Sequence, residues 1–385
     1  MKRVLFVSQA ISQSYIDLLS EALGSEVLID LISGSNVRVN GRLFTSPAHM
    51  STSIKSRFIC WYKHFLFTQK WMKSNRKNRY DLIFATSNPP INSYLGLSLK
   101  KTFKCPFVYM NWDLYPQIVS ASINNPVADF FVKLWHSWNN KHYKDIDRMI
   151  TIGHTMSDSI NKELKEKIHI NVIPIDVNVD VLKPVEKNIN PFVLENNLLS
   201  KFIVLYSGKM GIGHNIECIL QASELLRDIS DIHFVFIGDG EKYNTVKRYI
   251  KDNDVCNISL FPLQPLSVFP YSMACGDIGI VSQEAYMSHL FMPSKAYSMM
   301  ACGLSLIGIS SGYDDLSALI KNNHIGYVVE DSSPVTLAEY IKDLYLHKEK
   351  LCNMKLRARN IAESDYSAEV VKKFYVNLFG ELLHN

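Results

Sequence analysis

The sequence predicts an α/β protein built from two doubly wound, mostly parallel sheets. Short β-branched or apolar runs alternate with longer amphipathic stretches, which is the pattern of parallel strands joined by crossover helices. The chain has 385 residues, which is long for one ordinary domain and sufficient for two. Over 174–201 the alternation lapses into a stretch rich in proline, asparagine, aspartate and lysine. We therefore predict two domains that are joined there.

Each half of the chain supplies its own set of candidate strands. In the first half they are 3–8, 26–32, 81–85, 106–111, 148–151 and 168–173, and in the second half 202–207, 233–237, 257–261, 278–281, 304–309 and 327–329. We place the first domain at 1–185 and the second at 195–364. Two such domains that face each other put the carboxyl ends of both sheets at a central cleft, where open α/β sheets bind ligands. This cleft is the expected active site.

Composition excludes several classes of protein. The formal net charge of +4 is too weak to indicate a nucleic-acid partner. The 7 cysteines are scattered, without a C-x-x-C pair or a histidine at metal-ligand spacing, so we predict reduced core thiols in a cytoplasmic protein and no metal site. The sequence after Met1 lacks the apolar region of a secretory signal, and no apolar run reaches the length of about 18 residues that a membrane span needs. Any membrane contact is therefore expected to be peripheral.

The segment 202–217 ends a strand in a glycine-bearing turn and then opens a helix. Gly208, Gly211 and Gly213 let backbone amides approach an anion, and Lys209 adds a positive charge beside them. This pattern indicates a pyrophosphate cradle. The alternative is a tight turn from which Lys209 points into solvent.

The segment 291–303 is predicted to be a helix with Pro293 at its start and Gly303 at its end. Ser294 and Lys295 then lie at the helix N-terminus, where free amides, a hydroxyl and an ammonium group suit a diphosphate. The alternative is that Ser294 only caps the helix and Lys295 is a surface charge.

Five motifs follow one another in a specific order, three in the second half and two in the first. They are Ser207-Gly208-Lys209-Met210-Gly211, Ile237-Gly238-Asp239-Gly240-Glu241, Pro293-Ser294-Lys295 with Met300-Ala301-Cys302-Gly303, Thr86-Ser87-Asn88-Pro89-Pro90, and Asn111-Trp112-Asp113-Leu114-Tyr115-Pro116. Together they resemble glycosyltransferase family 4, and its bacterial branch for O-antigen, capsule and exopolysaccharide synthesis. The resemblance implies a GT-B fold whose last helix, 365–385, crosses back to the first domain. It also implies a nucleotide-diphosphate sugar as donor, a lipid-linked saccharide as acceptor, retained anomeric configuration and no bound metal or cofactor.

The resemblance assigns roles to residues of the donor side. Lys209 and Lys295 fall where the family and its branch place basic groups, and we expect them to stabilise the leaving diphosphate. Gly238 and Gly240 lie on a loop that approaches the nucleotide, and Leu263 lies in a loop, 262–265, expected near the base.

Two positions depart from the family pattern on this side. The Glu-x7-Glu pair falls on Leu290 and Ser298, and a second basic residue falls on His214. We therefore expect the Ser298 hydroxyl, or a neighbour such as Glu284, to contact the donor ribose.

The acceptor side is predicted from residues that follow strands of the first half. Asp113 follows 106–111 and is the carboxylate that we place with the acceptor, whereas a turn-capping role is the alternative. Ser87 and Asn88 follow 81–85 and either line the same side or belong to a rigid turn. The loop 8–10 lacks glycine and receives no role. Two other functions stay open, a nucleotide-sugar 2-epimerase of the same fold and an inactive partner subunit of a transferase.

The segment 53–79 is predicted to be a helix that binds the anionic inner face of a membrane. It contains no Pro, Gly, Asp or Glu. Its basic residues are Lys55, Arg57, Lys63, Lys70, Lys73, Arg76, Lys77 and Arg79, and its apolar stripe is Ile54, Phe58, Trp61, Phe65 and Met72, with Tyr62 and Trp71 beside it. Aromatic rings and basic side chains both favour a membrane interface. The alternative is a domain helix that packs on the sheet.

Overall fold

The structure, a computed structural model, describes residues 1–49, 54–122 and 125–383. These residues form two compact units, the first comprising 1–174 with 369–385 and the second comprising 175–368. The first unit thus ends at Pro174, at the start of the proline-bearing stretch, rather than at residue 185. Residues beyond Pro174 are held by the second unit, because the Val177 amide donates to the Tyr366 carbonyl at 2.8 Å and Arg359 donates to the Leu182 carbonyl at 2.8 Å.

The first unit contains a parallel sheet of seven strands in the order β3-β2-β1-β4-β5-β6-β7. Its elements are β1 Lys2–Val7, α1 Gln13–Leu23, β2 Val27–Ser33, β3 Leu43–Thr45, α2 Ile54–Ser74, β4 Leu82–Thr86, α3 Asn92–Phe103, β5 Phe107–Asn111, α4 Gln117–Ser122, α5 Pro126–His142, β6 Arg148–Thr151, α6 His154–Glu163 and β7 Ile170–Val172. The central strands β4 and β5 are buried along their whole length, and both are runs of mainly apolar residues that end in Thr86 and Asn111.

The second unit contains a parallel sheet of six strands in the order β10-β9-β8-β11-β12-β13. Its elements are α7 Pro191–Glu195, β8 Phe202–Ser207, α8 Ile216–Leu225, β9 Ile232–Ile237, α9 Tyr243–Asp252, β10 Ile258–Phe261, α10 Phe269–Met273, β11 Ile278–Ser282, α11 Lys295–Ala301, β12 Ser305–Ile309, α12 Asp315–Asn322, β13 Gly326–Val329, α13 Pro334–Leu346 and α14 Lys348–Asp365, with 3-10 turns at Lys187–Ile189 and Ala285–Met287. The strand order reverses between β8 and β11, which is the switch point where such sheets bind ligands.

The last helix, α15 Ala368–Leu383, packs on the first unit. Phe379 lies edge-on to Phe84 of β4, with ring centroids 6.0 Å apart, and the hydroxyls of Tyr375 and Tyr15 are 2.7 Å apart. Lys372 pairs with Glu21 at 2.9 Å. The predicted fold class, with its returning C-terminal helix, is confirmed.

Three local predictions are wrong. Strand β3 has no counterpart in the prediction. The helix predicted over 53–79 ends at Ser74. There the Asn75 backbone amide is shared between the Trp71 and Met72 carbonyls, which tightens the last turn, and the Asn75 side chain also donates to the Trp71 carbonyl. Ser53 lies outside the described residues. Finally, Cys256 and Cys352 are exposed rather than in the core, since one follows a surface turn and the other lies on the outer face of α14.

Candidate active site

The loops after β8 and β9 meet backbone to backbone in the second unit. Gly208 donates its amide to the Ile237 carbonyl at 2.8 Å, and Met210 donates to the Asp239 carbonyl at 2.6 Å. A β-carbon added to Gly238, at φ +153°, would lie 1.9 Å from the Gly208 carbonyl oxygen. A side chain at this position is therefore excluded. The glycines permit a closely packed loop pair at the carboxyl edge of the sheet.

Lys295 brings a buried positive charge to the same loop. Its Nζ lies 3.9 Å from the centroid of the Tyr206 ring, and a β-carbon added to Gly208 would lie 3.5 Å from that nitrogen. The amine is buried and has no hydrogen-bond partner among the described residues. Burial lowers the pKa of Lys295 to about 7. A buried ammonium group that has an aromatic ring beside it but no hydrogen-bond acceptor among the described residues is suited to an anionic ligand.

His214, where the family places a second basic residue, is not a cation in this structure. Its Nδ1 donates to the Ser282 carbonyl at 2.5 Å. Burial, followed by the charge of Lys295 and smaller effects of Lys242 and Lys209, lowers the pKa of His214 to about 3. The imidazole is thus neutral at physiological pH. The charges of Lys295, Lys242 and Lys209 each oppose protonation of this ring.

Lys242 is a site residue that the sequence analysis missed. Its Nζ donates to the His214 carbonyl at 2.7 Å, to Glu217 at 2.7 Å and to Glu284 at 3.2 Å. It directly follows the predicted motif that ends at Glu241, and that position beside a glycine turn was the available signal. The ion pairs fix the Glu284 carboxylate at the end of β11, where the strand order reverses.

The other predicted donor-side residues lie at different distances from this centre. Gly211 is buried beside Glu241 and His214, and Gly240 packs on the Met210 backbone. Ser294 is exposed and makes no side-chain cap bond to α11, so its proposed capping role is not seen. Two further residues, Ser298 on α11 and the exposed Leu263 after the edge strand β10, are not joined to the lysine cluster by any described hydrogen bond.

The predicted acceptor-side residues of the first unit form one set of strand-end loops. The Ser87 hydroxyl accepts the amides of Trp112 at 3.0 Å and Asp113 at 3.4 Å, which joins the ends of β4 and β5. The Asn88 carbonyl accepts the Gln9 amide at 2.7 Å, which joins β4 to the loop after β1. Ser87 and Asn88 therefore hold the carboxyl edge of this sheet together.

Asp113 has an unusual environment for a carboxylate. Burial raises its pKa to about 6, and the positive charge of Arg57 on α2 opposes this rise. The carboxyl group thus titrates near neutral pH at the carboxyl end of β5. Perturbed groups of this kind concentrate at functional sites.

Comparison with known proteins defines the class of this chain as a GT-B glycosyltransferase that resembles family 4. No family model matches the chain. The resemblance is therefore supported by individual relatives in sequence and by solved structures with the same fold.

Three relatives show the range of this likeness. The chain is 24% identical over 346 residues to a probable glycosyltransferase, WbjE of Pseudomonas aeruginosa, covering 87% of this chain and 83% of that protein. It is 27% identical over 203 residues to a putative colanic acid biosynthesis glycosyl transferase, WcaI of Escherichia coli K12, covering 52% and 46%. The crystal structure of Anabaena HepE with UDP-glucose matches with a TM-score of 0.74 at 12% identity, covering 99% and 100%.

Proposed function

We propose that this protein transfers a sugar from a nucleotide-diphosphate sugar to a lipid-linked saccharide during bacterial surface polysaccharide synthesis. The reaction retains anomeric configuration, needs no resident metal and takes place at the inner face of the membrane. The names of WbjE and WcaI support the transferase class, and the WcaI name supports polysaccharide synthesis. The UDP-glucose bound to HepE supports a nucleotide-sugar donor.

The observation that carries the proposal is the buried amine of Lys295, which contacts the Tyr206 ring but has no hydrogen-bond acceptor among the described residues. A buried ammonium group without an acceptor destabilises the protein, so its retention beside the Gly208 loop is explained by a ligand that supplies an anion. A donor diphosphate does this. Lys209, exposed on the same loop, adds a second positive charge.

The chemistry follows from where negative charge develops. As the bond between the anomeric carbon and the diphosphate oxygen breaks, charge accumulates on the diphosphate, and a preorganised ammonium group stabilises it more in the transition state than in the ground state. The acceptor hydroxyl oxygen forms the new bond, and its proton leaves with the diphosphate. Asp113, when ionised, orients that hydroxyl by accepting a hydrogen bond.

Ribose recognition is assigned to the charged network around Lys242. Glu284 is half-buried and held by Lys242 at the end of β11, so one carboxylate oxygen is available to a pair of ribose hydroxyls. Ser298 is the weaker candidate, because it lies within α11 on a part of the helix without described contacts to that network.

The test is product analysis with purified protein. UDP-, GDP- and dTDP-sugars are each incubated with and without a lipid-diphosphate-linked saccharide, and products are identified by mass spectrometry and by the anomeric NMR coupling. Transfer with retention supports the proposal. Epimerised nucleotide sugar without acceptor would identify the 2-epimerase instead, and donor binding without turnover would identify an inactive partner.

The role of Lys295 is tested with the variant Lys295→Met. Its matched control is Lys251→Met, because Lys251 is an exposed lysine on α9.

A further inference from the structure

An apolar groove lies in the first unit and contains none of the residues assigned to the donor in the second unit. It has a volume of about 610 Å³ and is walled by aromatic and aliphatic side chains of α2, α3 and α5. Ligand sites commonly have volumes of about 300–1,000 Å³. The groove is therefore large enough for a ligand of ordinary size.

The mouth of the groove exposes large apolar side chains to solvent. Tyr62 is 62% exposed, Leu134 53% and Tyr94 41%. On α5 the apolar surface continues through Phe130 and Phe131, which are 59% and 63% exposed. Contiguous exposure of this kind marks a binding surface for an apolar partner.

The inner end of the groove reaches the acceptor-side loops. Trp135 stacks on Tyr115, with ring centroids 6.0 Å apart and an interplanar angle of 13°, and Trp61 meets the same ring edge-on at 5.7 Å. Tyr115 follows Asp113 by two positions, and Pro90, another wall residue, follows Asn88 by two. An occupant of the groove would thus be continuous with a group bound at Asp113.

A positive charge lies at the inner end of the groove, where Arg57 on α2 acts on Asp113. The surface therefore combines a hydrocarbon-binding channel with positive charge, which is complementary to an apolar chain that ends in phosphate.

We propose that this groove binds the isoprenoid chain of the lipid diphosphate to which the acceptor saccharide is attached. The inference rests on the proposed function and names the lipid part of its acceptor. Planar alkene units can lie flat against the tryptophan and tyrosine rings, and the groove directs the diphosphate end of the chain toward Arg57 and the Asp113 loop.

The test uses farnesyl diphosphate as the probe for the full-length protein, with binding measured by isothermal titration calorimetry. We expect it to bind at least about tenfold more tightly than inorganic diphosphate, because the chain buries apolar surface. Leu134→Asp, at an exposed wall position, should remove most of this advantage. Leu356→Asp, at a residue 60% exposed on α14 of the second unit, is the matched control and should leave binding unchanged.

Two further arms separate this proposal from its rivals. Lysophosphatidylglycerol that binds as tightly as farnesyl diphosphate, with the same dependence on Leu134, would show that the groove takes bilayer lipid and would overturn the proposal. Equal affinity for farnesyl and inorganic diphosphate would also overturn it. Lys295→Met should keep farnesyl diphosphate binding, and Leu134→Asp should keep nucleotide-sugar binding. Failure of donor binding in the unmodified protein would therefore count against the proposed function alone.

Discussion

Replacing Lys295 by methionine should stabilise the second unit while it weakens donor binding. Methionine keeps most of the side-chain volume and can replace the contact of the Lys295 ammonium group with the Tyr206 ring by a sulfur–aromatic contact, but it removes the buried charge. The pKa of Lys295 falls from 10.5 to about 7 on folding, and a difference of this size corresponds to roughly 4–5 kcal/mol of cost for the charged form. The variant should gain a stabilisation approaching that value at low pH.

The sign of the pH dependence follows from proton binding. Between about pH 7 and 10.5 the unfolded chain holds the Lys295 proton and the folded protein has lost it, so the cost of burying the amine declines as pH rises. Below pH 7 the cost is complete. The stability difference between Lys295→Met and the unmodified protein should therefore shrink from about 4–5 kcal/mol at pH 6 to about 2 kcal/mol at pH 9.

Hydrogen exchange measured by mass spectrometry on peptides of β8 and α11 is the suitable assay. Tryptophan fluorescence does not report on this unit, because all five tryptophans lie at positions of the first unit. A variant that is less stable at pH 6, or a difference that is the same at pH 6 and pH 9, would refute the argument that burial of the amine without a hydrogen-bond acceptor destabilises the protein. Lys251→Met should show neither effect.

Three further predictions concern the proposed reaction. Lys209→Ala and Lys295→Ala should each lower transfer by roughly one hundredfold with the fold intact, as judged by circular dichroism, and near-normal turnover in both would refute the diphosphate assignment. The transfer rate should rise as the pH passes through about 6, because Asp113 ionises there. Asp113→Asn should abolish this rise without changing donor affinity. Glu284→Gln should raise the donor KM. A raised donor KM in Ser298→Ala would instead show that the Ser298 hydroxyl binds the ribose.

The fold could be predicted because its central strands carry a strong local signal. Parallel strands such as β4, β8 and β11 carry no polar residue before the hydroxyl residue at which each ends, apart from the phenol of Tyr206, so their positions follow from short stretches of sequence. Strand β3 could not be predicted this way, because a strand of three residues is too short to show an alternating pattern of apolar and polar residues. It is held by a distant residue: the Asp30 carboxylate on β2 accepts the Arg42 amide at 2.9 Å and its guanidinium at 2.8 Å.

The candidate site was only partly accessible from sequence for a related reason. The glycine turn and Lys295 are local motifs, and each predicts its own chemistry. The network of Lys242, Glu217 and Glu284 joins three loops that are far apart in the chain, and its ion pairs exist only after folding. The apolar groove likewise combines α2, α3 and α5, and none of their sequences shows a cavity.

The structure redefines the membrane helix predicted over 53–79. The face of α2 that packs on the first unit carries Cys60, His64, Thr68, Trp71 and Met72, so part of the predicted stripe belongs to the core. Ile59, Tyr62 and Leu66 remain exposed on the outer face. Within 1–49, 54–122 and 125–383, no helix is long and apolar enough to cross a membrane.

We expect the exposed face of α2 and the basic turn after it to attach the protein reversibly to anionic membranes. Each basic side chain near the surface adds about 1 kcal/mol of attraction. Replacing Lys73, Arg76, Lys77 and Arg79 by Gln should therefore abolish co-sedimentation with vesicles that contain phosphatidylglycerol, as should high salt. The matched control replaces Lys247, Arg248, Lys251 and Lys342, exposed in the second unit. Both variants lose four positive charges from a net charge of +4, so equal loss of binding in both would show that net charge, rather than this surface, attaches the protein.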